Sequence, residues 1–309
     1  IVKPKRVTWA ELNRATRKLT DISDEEHRQL LLNFIRAYER TLPDYQAQVA
    51  EARHRFTWIN RGTIEWIPIR GGRFQVGSTF PVADERPMQW IEISAFEAAV
   101  SEVTNAQYKR CVDARVCTPP HWDDKSCEIF SDLHLKRGVL PASMRRGDMP
   151  VVCVDWNQAN RFAKWVGGRL LSETEWEFVA RSGEKSFIYP WGRNAAHCGL
   201  AVMHSGSDSG CGFGIPWPVC SKTQGKSHIG LCDLAGNVWE WVTDQYRPNH
   251  ELVPPDGRPF TGGGRKVIKG GSFSSNYKEL YSSTRGQLSP NGRSNSVGFR
   301  VARPEQETR

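Results

Sequence analysis

Residues 1–55 carry apolar positions that recur three and four residues apart, as along one face of a helix. Two capping-box patterns, Thr8–Glu11 and Ser23–Glu26, each open a helical stretch, and Pro43 ends the second. The stripe behind the second capping box consists of Leu30, Leu31, Phe34, Ile35 and Tyr38. We therefore predict a helical N-terminal arm over residues 1–55, whose apolar stripe is covered either by the rest of the chain or by a partner.

From residue 56 onward the apolar positions form short runs separated by glycine and proline, a pattern that is typical of β-strands. Ile64–Ile69 is one such run, and Pro68 within it predicts a strand at the edge of a sheet. Gly71 and Gly72 turn the chain into the next run, Phe74–Val76, and Trp90–Ile93 is a further strand. This change from helical periodicity to short apolar runs predicts a second domain over residues 56–309.

Three helices are predicted inside this second domain. Thr104 caps the first, Asn157–Val166 forms the second, and the capping box Ser172–Glu175 begins the third, which Gly183 ends. After Gly183 helical periodicity stops, and turns and short strands follow. The fold class that this pattern predicts is α+β, with little regular secondary structure.

Composition and charge narrow the classes of function. The 309-residue chain has a net charge of +8, but its basic residues are scattered and include no run of five like charges. Scattered lysine and arginine usually form a solvated exterior, so we predict no nucleic-acid partner. The sequence also lacks a stretch of eighteen apolar residues, so we predict no membrane span.

The eight cysteines are even in number, and no two of them have C-x-x-C spacing, so the pattern favours disulfides over a zinc site. Cys111 with Cys117 and Cys211 with Cys220 are the pairs that close most easily over a short stretch of chain; buried reduced thiols are the alternative. Disulfides indicate an oxidising compartment, so we expect a periplasmic, outer-surface or secreted protein. The chain begins at Ile1 without a signal-peptide pattern, which implies a removed leader or a trimmed sequence.

Several motifs, in a fixed order, carry a family resemblance. They are Gly71–Ser78, Pro150–Trp156, Gly168–Glu177, Tyr189–Gly192, Gly230–Trp241, Lys269–Phe273 and Gly298–Arg300. This order resembles the formylglycine-generating-enzyme (sulfatase-modifying factor) superfamily over roughly residues 60–304. The resemblance implies a variant of the C-type lectin fold, preceded here by the helical N-terminal arm.

The resemblance also shows what this chain lacks. The oxidases of the superfamily hold copper with two cysteines just beyond the Gly-Gly-Ser element, because copper(I) selects soft thiolate ligands. The corresponding stretch here, Phe273–Leu280, has neither cysteine nor histidine, and the last cysteine of the chain is Cys232. We therefore expect no copper, no catalytic residues of that kind and no formylglycine generation.

Two other branches keep an enzymatic alternative open. Iron-dependent sulfoxide synthases of this superfamily use three histidines that a helical N-terminal domain supplies. The arm here offers only His27 and His54, and the remaining histidines form no i,i+4 pair. A siderophore-maturation branch has no signature that can be carried over by residue. A non-haem iron-dependent oxygenase or oxidase is therefore the alternative function.

A calcium site is the cofactor that the resemblance implies. The side chains of Asp233 and Glu240 and the backbone carbonyls of Gly236 and Val238 would supply the oxygen ligands that a hard cation needs. The alternative makes Asp233 a turn cap and Glu240 a salt-bridge partner. Trp239, Trp241 and Arg300 are predicted to be core residues.

Two polar loops near the C-terminus have the composition of adaptable recognition loops. Their candidate ligand-binding residues are Ser275, Asn276, Tyr277, Arg285, Asn291, Arg293 and Asn295. In the superfamily this region lines the ligand groove, whereas ordinary solvated loops are the alternative. We predict an exported, non-catalytic binding or scaffold protein with protein partners, as a subunit of a cell-envelope or surface complex.

Overall fold

A computed structural model of the chain describes residues 64–80, 82–131, 134–206 and 208–305. From Glu65 onward these residues belong to one of the two units into which the chain divides. The predicted N-terminal arm, with its apolar stripe and with His27 and His54, lies outside the described residues, so those predictions and the boundary at residue 56 stay predictions.

Twelve strands occur in the described part of the chain. They are β1 (Trp66–Ile69), β2 (Gly72–Val76), β3 (Gln89–Ile93), β4 (Phe96–Ala99), β5 (Cys127–Ser131), β6 (His134–Gly138), β7 (Arg169–Leu170), β8 (Trp239–Gln245), β9 (Lys266–Lys269), β10 (Arg285–Leu288), β11 (Val297–Gly298) and β12 (Val301–Pro304). Because these strands are short and much of the chain between them is irregular, regular structure makes up little of the module.

Three helices occur in the same residues, and each begins at a capping box. They are α1 (Asn105–Asp113), α2 (Trp156–Trp165) and α3 (Glu173–Ala180). The caps are Thr104, Asp155 and Ser172, each of which accepts a hydrogen bond from the backbone three residues later. All three predicted helices are confirmed, with the second beginning at Trp156. No helix in the described ranges is long and apolar enough to cross a bilayer.

The strands form two four-stranded sheets and two hairpins. One sheet has the order β1–β4–β12–β7, and the other has the order β10–β9–β8–β11. Strands β2 with β3 and β5 with β6 make the separate antiparallel pairs. Since β1 lies at the edge of its sheet, the position predicted from Pro68 is confirmed.

The core between these elements is rich in aromatic residues. Trp176 of α3 and Trp241 of β8 are almost fully buried, and Phe74 packs edge-on against Phe178 at a centroid distance of 5.3 Å. Tyr108, Phe162 and Phe299 form a second aromatic group in which the Phe162–Phe299 centroids are 5.5 Å apart. The helices α1 and α2 are thereby attached to the segment next to β12.

Four disulfides account for all eight cysteines. They join Cys111 to Cys117, Cys127 to Cys153, Cys198 to Cys211 and Cys220 to Cys232. The prediction of disulfides and of the Cys111–Cys117 pair is therefore confirmed.

The predicted pairing of Cys211 with Cys220 is wrong, and the backbone explains why. The N–H of Cys220 donates to the carboxylate of Asp233 at 2.5 Å, which places it beside Cys232. The N–H of Cys211 donates to the carbonyl of Met203 at 2.9 Å, which brings it to the segment that follows Cys198. Contacts of the folded chain, and not the shortest loop, decide these partners.

Candidate functional site

Strand β9 organises the part of the module to which the candidate residues belong. It lies between β8 and β10, and its register pairs Lys269 with Arg285 and Lys266 with Leu288. The segment that contains Asn276 and Tyr277 follows the Lys269 end of β9. The segment that contains Asn291 and Arg293 follows β10 and so lies toward the Lys266 end. The two predicted recognition loops are thus at opposite ends of one antiparallel pair.

At the Lys269 end, a buried ion network joins β9 to α3. The ammonium of Lys269 is 3.2 Å from a carboxylate oxygen of Glu177, and Arg181 donates to the other oxygen at 2.9 Å. The side chains of Lys269 and Glu177 are fully buried. Burial alone would raise the pKa of Glu177, but Lys269 and Arg181 hold that pKa below its ordinary value. Glu177 is therefore the charged counterion of two buried cations.

Arg285 belongs to the same interior and not to a recognition surface. Its guanidinium donates to both carboxylate oxygens of Glu173, at 2.5 and 3.0 Å, and its side chain is 2% exposed. Burial opposes ionisation of Glu173, yet Arg285 keeps its pKa below the ordinary range. His250 is also buried, with its Nε2 atom 3.8 Å from Glu173. The predicted ligand residue Arg285 is used inside the fold.

The segment beyond Gly270 and Gly271 is held by hydrogen bonds within itself and from the segment that contains His204. Ser272 and Ser274 share a hydrogen bond at 3.0 Å, and the carbonyl of Ser275 accepts from the backbone N–H of His204 at 2.9 Å. The hydroxyl-bearing Ser275 is 3% exposed. Since every cysteine lies in a disulfide, this segment offers no thiol, as the sequence indicates.

Asn276 and Tyr277 are the predicted ligand residues of this loop that face solvent. Tyr277 is 48% exposed, and the hydroxyl of Tyr189 donates to its backbone carbonyl at 3.1 Å. Tyr189 stacks on Trp191 with ring centroids 5.0 Å apart, and Phe80 stacks on Tyr281 at 4.8 Å. We call Phe80, Tyr189, Trp191, Tyr277 and Tyr281 the aromatic face. It gathers residues from three separate segments of the chain, and for that reason no local pattern predicts it.

The second predicted loop is mostly structural. Asn295 is fully buried, where its side chain accepts from the N–H of Phe130 and donates to the carbonyl of the same residue. Arg293 donates to Asp155, the cap of α2, at 2.6 Å. Asn291 is exposed and lies 3.4 Å from the side-chain amide of Asn157. Of the seven predicted ligand residues, the structure leaves Asn276, Tyr277 and Asn291 exposed, and it does not bring all three together at one end of β9.

The predicted calcium ligands lie in a buried acidic cluster around Arg300. This guanidinium donates to both oxygens of Glu240, at 2.7 and 2.6 Å, and the indole of Trp176 donates to Glu240 as well. Asp233 accepts the backbone N–H of Cys220. The salt bridge named as an alternative to calcium is thus present, whereas the hydrogen bond of Asp233 reaches a residue thirteen positions earlier and does not cap a turn at Asp233 itself. The burial predicted for Arg300 and Trp241 is confirmed, but Trp239, the first residue of β8, is only partly buried.

Glu102, which the sequence did not single out, completes this cluster. It is fully buried and accepts from the side chain of Asn237 at 2.8 Å. Burial, with Asp233 and Glu240 as neighbours, raises the pKa of Glu102 well above its ordinary value, and burial raises the pKa of Asp233 to about 6. Three carboxylates therefore share one guanidinium, and the donor chemistry fits a hard cation.

The same cluster is not a set of converging side chains. In the described part of the chain, no three histidine, cysteine, aspartate or glutamate side chains are placed to hold a metal ion together. A cation at this position would depend on backbone oxygens in addition, and Gly236 and Val238 are the residues that the resemblance provides. Gly236 has a φ of +82°, a conformation that glycine adopts readily as the loop turns.

Comparisons with known proteins agree with this fold. The family model of the sulfatase-modifying factor enzyme 1-like domain matches residues 53–305. The inactive C-alpha-formylglycine-generating enzyme 2 of Bos taurus is 28% identical over 287 residues, which covers 79% of this chain and 91% of that protein. The formylglycine-generating enzyme of Bos taurus is 27% identical over 282 residues, which covers 76% of this chain and 74% of that protein.

A solved structure, that of PvdO from Pseudomonas aeruginosa, superposes with a TM-score of 0.65 at 23% identity, covering 79% of this chain and 96% of that chain. This likeness concerns the fold alone, and it confirms the predicted α+β architecture. Sequence similarity to a named enzyme and to a named inactive relative is nearly equal. Overall similarity therefore does not decide whether this chain is catalytic, and the residues at the position of the catalytic cysteines have to decide it.

Proposed function

The chain belongs to the sulfatase-modifying factor family, to which formylglycine-generating enzymes belong, and from that premise we propose that it is a non-catalytic binding protein of the family. The observation that carries the proposal is the segment Phe273–Leu280, which has no thiol and whose serines are engaged in the fold. The partner that we propose is another protein, within a complex of the cell envelope or cell surface.

The chemistry of the segment argues against formylglycine generation. That reaction in the family needs a pair of thiolates to hold a soft copper ion, and a serine hydroxyl neither ionises at neutral pH nor binds copper(I) comparably. The cysteines that do occur are joined in four disulfides, all of them N-terminal to this segment. Loss of the thiols with retention of the fold leaves a binding role as the simplest function.

The aromatic face supports binding of a protein or peptide. Tyrosine and tryptophan give large contact areas with little loss of side-chain entropy, and they are enriched at protein interfaces. Tyr277 projects from this face at 48% exposure, and its backbone carbonyl accepts a hydrogen bond from the hydroxyl of Tyr189, while Tyr281 and Trp191 are half-buried. Asn276, anchored to Glu279 by a hydrogen bond of 3.0 Å, adds a polar contact at the rim.

A pull-down from envelope fractions of the source cells, followed by mass spectrometry, tests the binding role. We expect the double variant Tyr277→Ala and Trp191→Ala to lose partners that the unchanged protein recovers. The matched control is Trp90→Ala, because Trp90 is 54% exposed on β3 and lies outside the aromatic face. Equal recovery by all three proteins would count against the aromatic face as the binding surface.

The enzymatic alternative makes different predictions. An iron-dependent oxygenase would carry stoichiometric iron after purification, and a formylglycine-generating oxidase would convert a cysteine-bearing peptide into its aldehyde. We expect neither iron nor copper at stoichiometric level, and no aldehyde product by mass spectrometry. Either positive result would replace the binding proposal with an enzymatic one.

Calcium is proposed as a structural ion of the acidic cluster. Formylglycine-generating-enzyme-like proteins bind calcium in general, and Asp233, Glu240 and the carbonyls of Gly236 and Val238 would hold it here. Because a bound ion stabilises the folded state by mass action, calcium should raise the melting temperature above that in EDTA. The variant Asp233→Asn should abolish most of this difference. Equal melting temperatures of the unchanged protein in calcium and in EDTA would contradict a structural calcium ion.

Export and the role of the arm complete the proposal. Four disulfides in one module are typical of proteins that fold in an oxidising compartment, which supports a periplasmic, surface or secreted location. The apolar stripe predicted in residues 1–55 would join the protein to its complex. Deletion of residues 1–55 should then reduce recovery of the complex, and unchanged recovery would leave the arm without that role.

A further inference from the structure

An open cavity of about 390 Å³ lies at the Lys266 end of β9, away from the aromatic face. Its walls are the side chains of Trp156, Asn157, Thr243, Thr261 and Lys266, with Pro290 and the loop Gly262–Gly264. We call this space the Lys266 cavity. Its volume falls within the range of small-molecule sites in proteins.

Lys266 is the charged residue of this lining. It is 7% exposed, and its ammonium donates to the backbone carbonyl of Thr243 at 3.0 Å and lies 4.2 Å from the ring centroid of Trp156. Among the described residues, no carboxylate forms an ion pair with it. A buried lysine is rare unless a negative group compensates it, so the missing counterion calls for an explanation.

Lys269, on the same strand, has the same kinds of contact as Lys266 and in addition a carboxylate counterion. It also donates to a backbone carbonyl, that of Ser283 at 2.9 Å, and lies over an indole ring, that of Trp176 at 5.6 Å. The difference is Glu177, which approaches Lys269 to 3.2 Å. Lys269 is thus compensated by a contacting carboxylate, whereas Lys266 lines the open Lys266 cavity.

Asp244 is the acidic residue near Lys266 that could serve as its counterion. It attracts Lys266 electrostatically, but its carboxyl accepts the backbone N–H groups of Glu173 and Phe260, at 2.7 and 2.8 Å. Burial raises the pKa of Asp244 to about 7, so near neutral pH it carries only part of a negative charge. Asp244 therefore does not replace a contacting anion.

We propose that the Lys266 cavity binds a sugar-sized organic anion, whose carboxylate, sulfate or phosphate group pairs with Lys266. The loop Gly262–Gly264 adds exposed backbone to the rim, since its three residues carry no side chains that would fill the entrance. Trp156 offers an aromatic wall, and Asn157, Thr243 and Thr261 offer amide and hydroxyl groups to the neutral part of the ligand. This site is independent of the proposed protein-binding role.

The test compares D-glucuronate with D-glucose and with inorganic phosphate by titration calorimetry of the full chain at low ionic strength. Glucuronate is expected to bind, while glucose, which lacks the charge, should bind at least about tenfold more weakly, as loss of a charge-assisted hydrogen bond implies. Lys266→Met should weaken glucuronate by a similar factor. Equal binding of glucuronate and glucose, or of glucuronate and inorganic phosphate, would overturn the proposal, as would no binding of any of them.

Lys222→Met is the matched control, because Lys222 also lies over an indole ring, 3.8 Å from the centroid of Trp217, but does not line the cavity. It should leave glucuronate affinity unchanged, whereas an equal loss in both variants would mean that general charge, and not the cavity, holds the anion.

A second pair of variants covers the case in which Lys266→Met fails to fold. A Cβ atom at Gly263 would meet no atom within 4 Å, so this position accepts a side chain. Gly263→Asp places a carboxylate at the cavity and should weaken glucuronate about tenfold or more, whereas the isosteric Gly263→Asn should retain most of the affinity. Equal affinity in these two variants would contradict the site.

Discussion

The two ends of strand β9 place similar lysines in opposite circumstances. At one end Lys269 is fully buried with Glu177 and Arg181, and the network is closed. At the other end Lys266 is nearly as buried but borders an open cavity, without a contacting carboxylate in the described residues. At the closed end the fold itself compensates the buried charge, so that removing the counterion is costly, whereas at the open end the uncompensated charge is the basis of the ligand that we propose.

The largest effect is expected from removing the counterion at the closed end. Glu177→Ala leaves Lys269 and Arg181 as uncompensated buried charges, which should lower the free energy of unfolding by about 3–5 kcal/mol. Denaturant titration measures it. The double variant Glu177→Leu with Lys269→Met should recover part of the loss. If Glu177→Ala lost no more unfolding free energy than Lys266→Met, the two ends of β9 would not differ in the way described.

Asp244 of β8, next to the residue that pairs with Lys266, should make stability depend on pH. Its pKa rises from 3.8 when unfolded to about 7 when folded, mainly by burial, so the folded state binds the extra proton. The unfolding free energy should therefore fall as pH rises from about 4 to about 7 and then level off, by up to about 4 kcal/mol. Unfolding curves across this range measure it, and Asp244→Asn should make the slope shallower, leaving the part that the raised pKa values of Glu102 and Asp233 contribute. An unchanged slope in that variant would assign the pH dependence to other groups.

Removing the charge at the open end should have a smaller effect. Lys266→Met deletes a buried charge that no carboxylate of the described ranges contacts, while methionine keeps most of the packing volume against Trp156. The change in unfolding free energy should stay within about 1 kcal/mol in either direction. Thermal denaturation without added ligand measures it, and a loss as large as that in Glu177→Ala would show that Lys266 is already compensated.

The smallest effect is expected from supplying the missing carboxylate. Gly263→Asp should raise the unfolding free energy by a few tenths of a kcal/mol relative to Gly263→Asn, because the loop is exposed and the ion pair is screened. The two variants share the same loss of backbone freedom, so their difference isolates the charge. A difference that persists unchanged at high salt would argue against an electrostatic origin.

Sequence reasoning predicts the features that depend on local hydrogen bonds and on ordered motifs. Thr104 and Ser172 mark helix starts because a capping box is complete within four residues, and the edge position of Pro68 follows from its missing N–H group. The order of the motifs identifies the family for the same reason, since it is a property of the chain itself.

The features that it misses arise where distant segments meet. The partners of Cys211 and Cys220 depend on backbone contacts across the fold, and polar residues such as Asn295 and Arg285 look like loop contacts until burial is known. Glu102 gives no sequence signal, because its neighbours in the acidic cluster come from more than a hundred residues away. Polarity predicts exposure poorly in a chain with so few regular elements.

All eight cysteines fall between Cys111 and Cys232, so covalent crosslinks fasten only the middle of the module. The sheet of β8, β9, β10 and β11 lies beyond the last of them and relies on ion pairs and packing instead. A reducing agent should therefore weaken the middle of the module, whereas only acid strong enough to protonate Glu173 and Glu177 should weaken the sheet that their ion pairs hold. Tolerance of one treatment does not imply tolerance of the other.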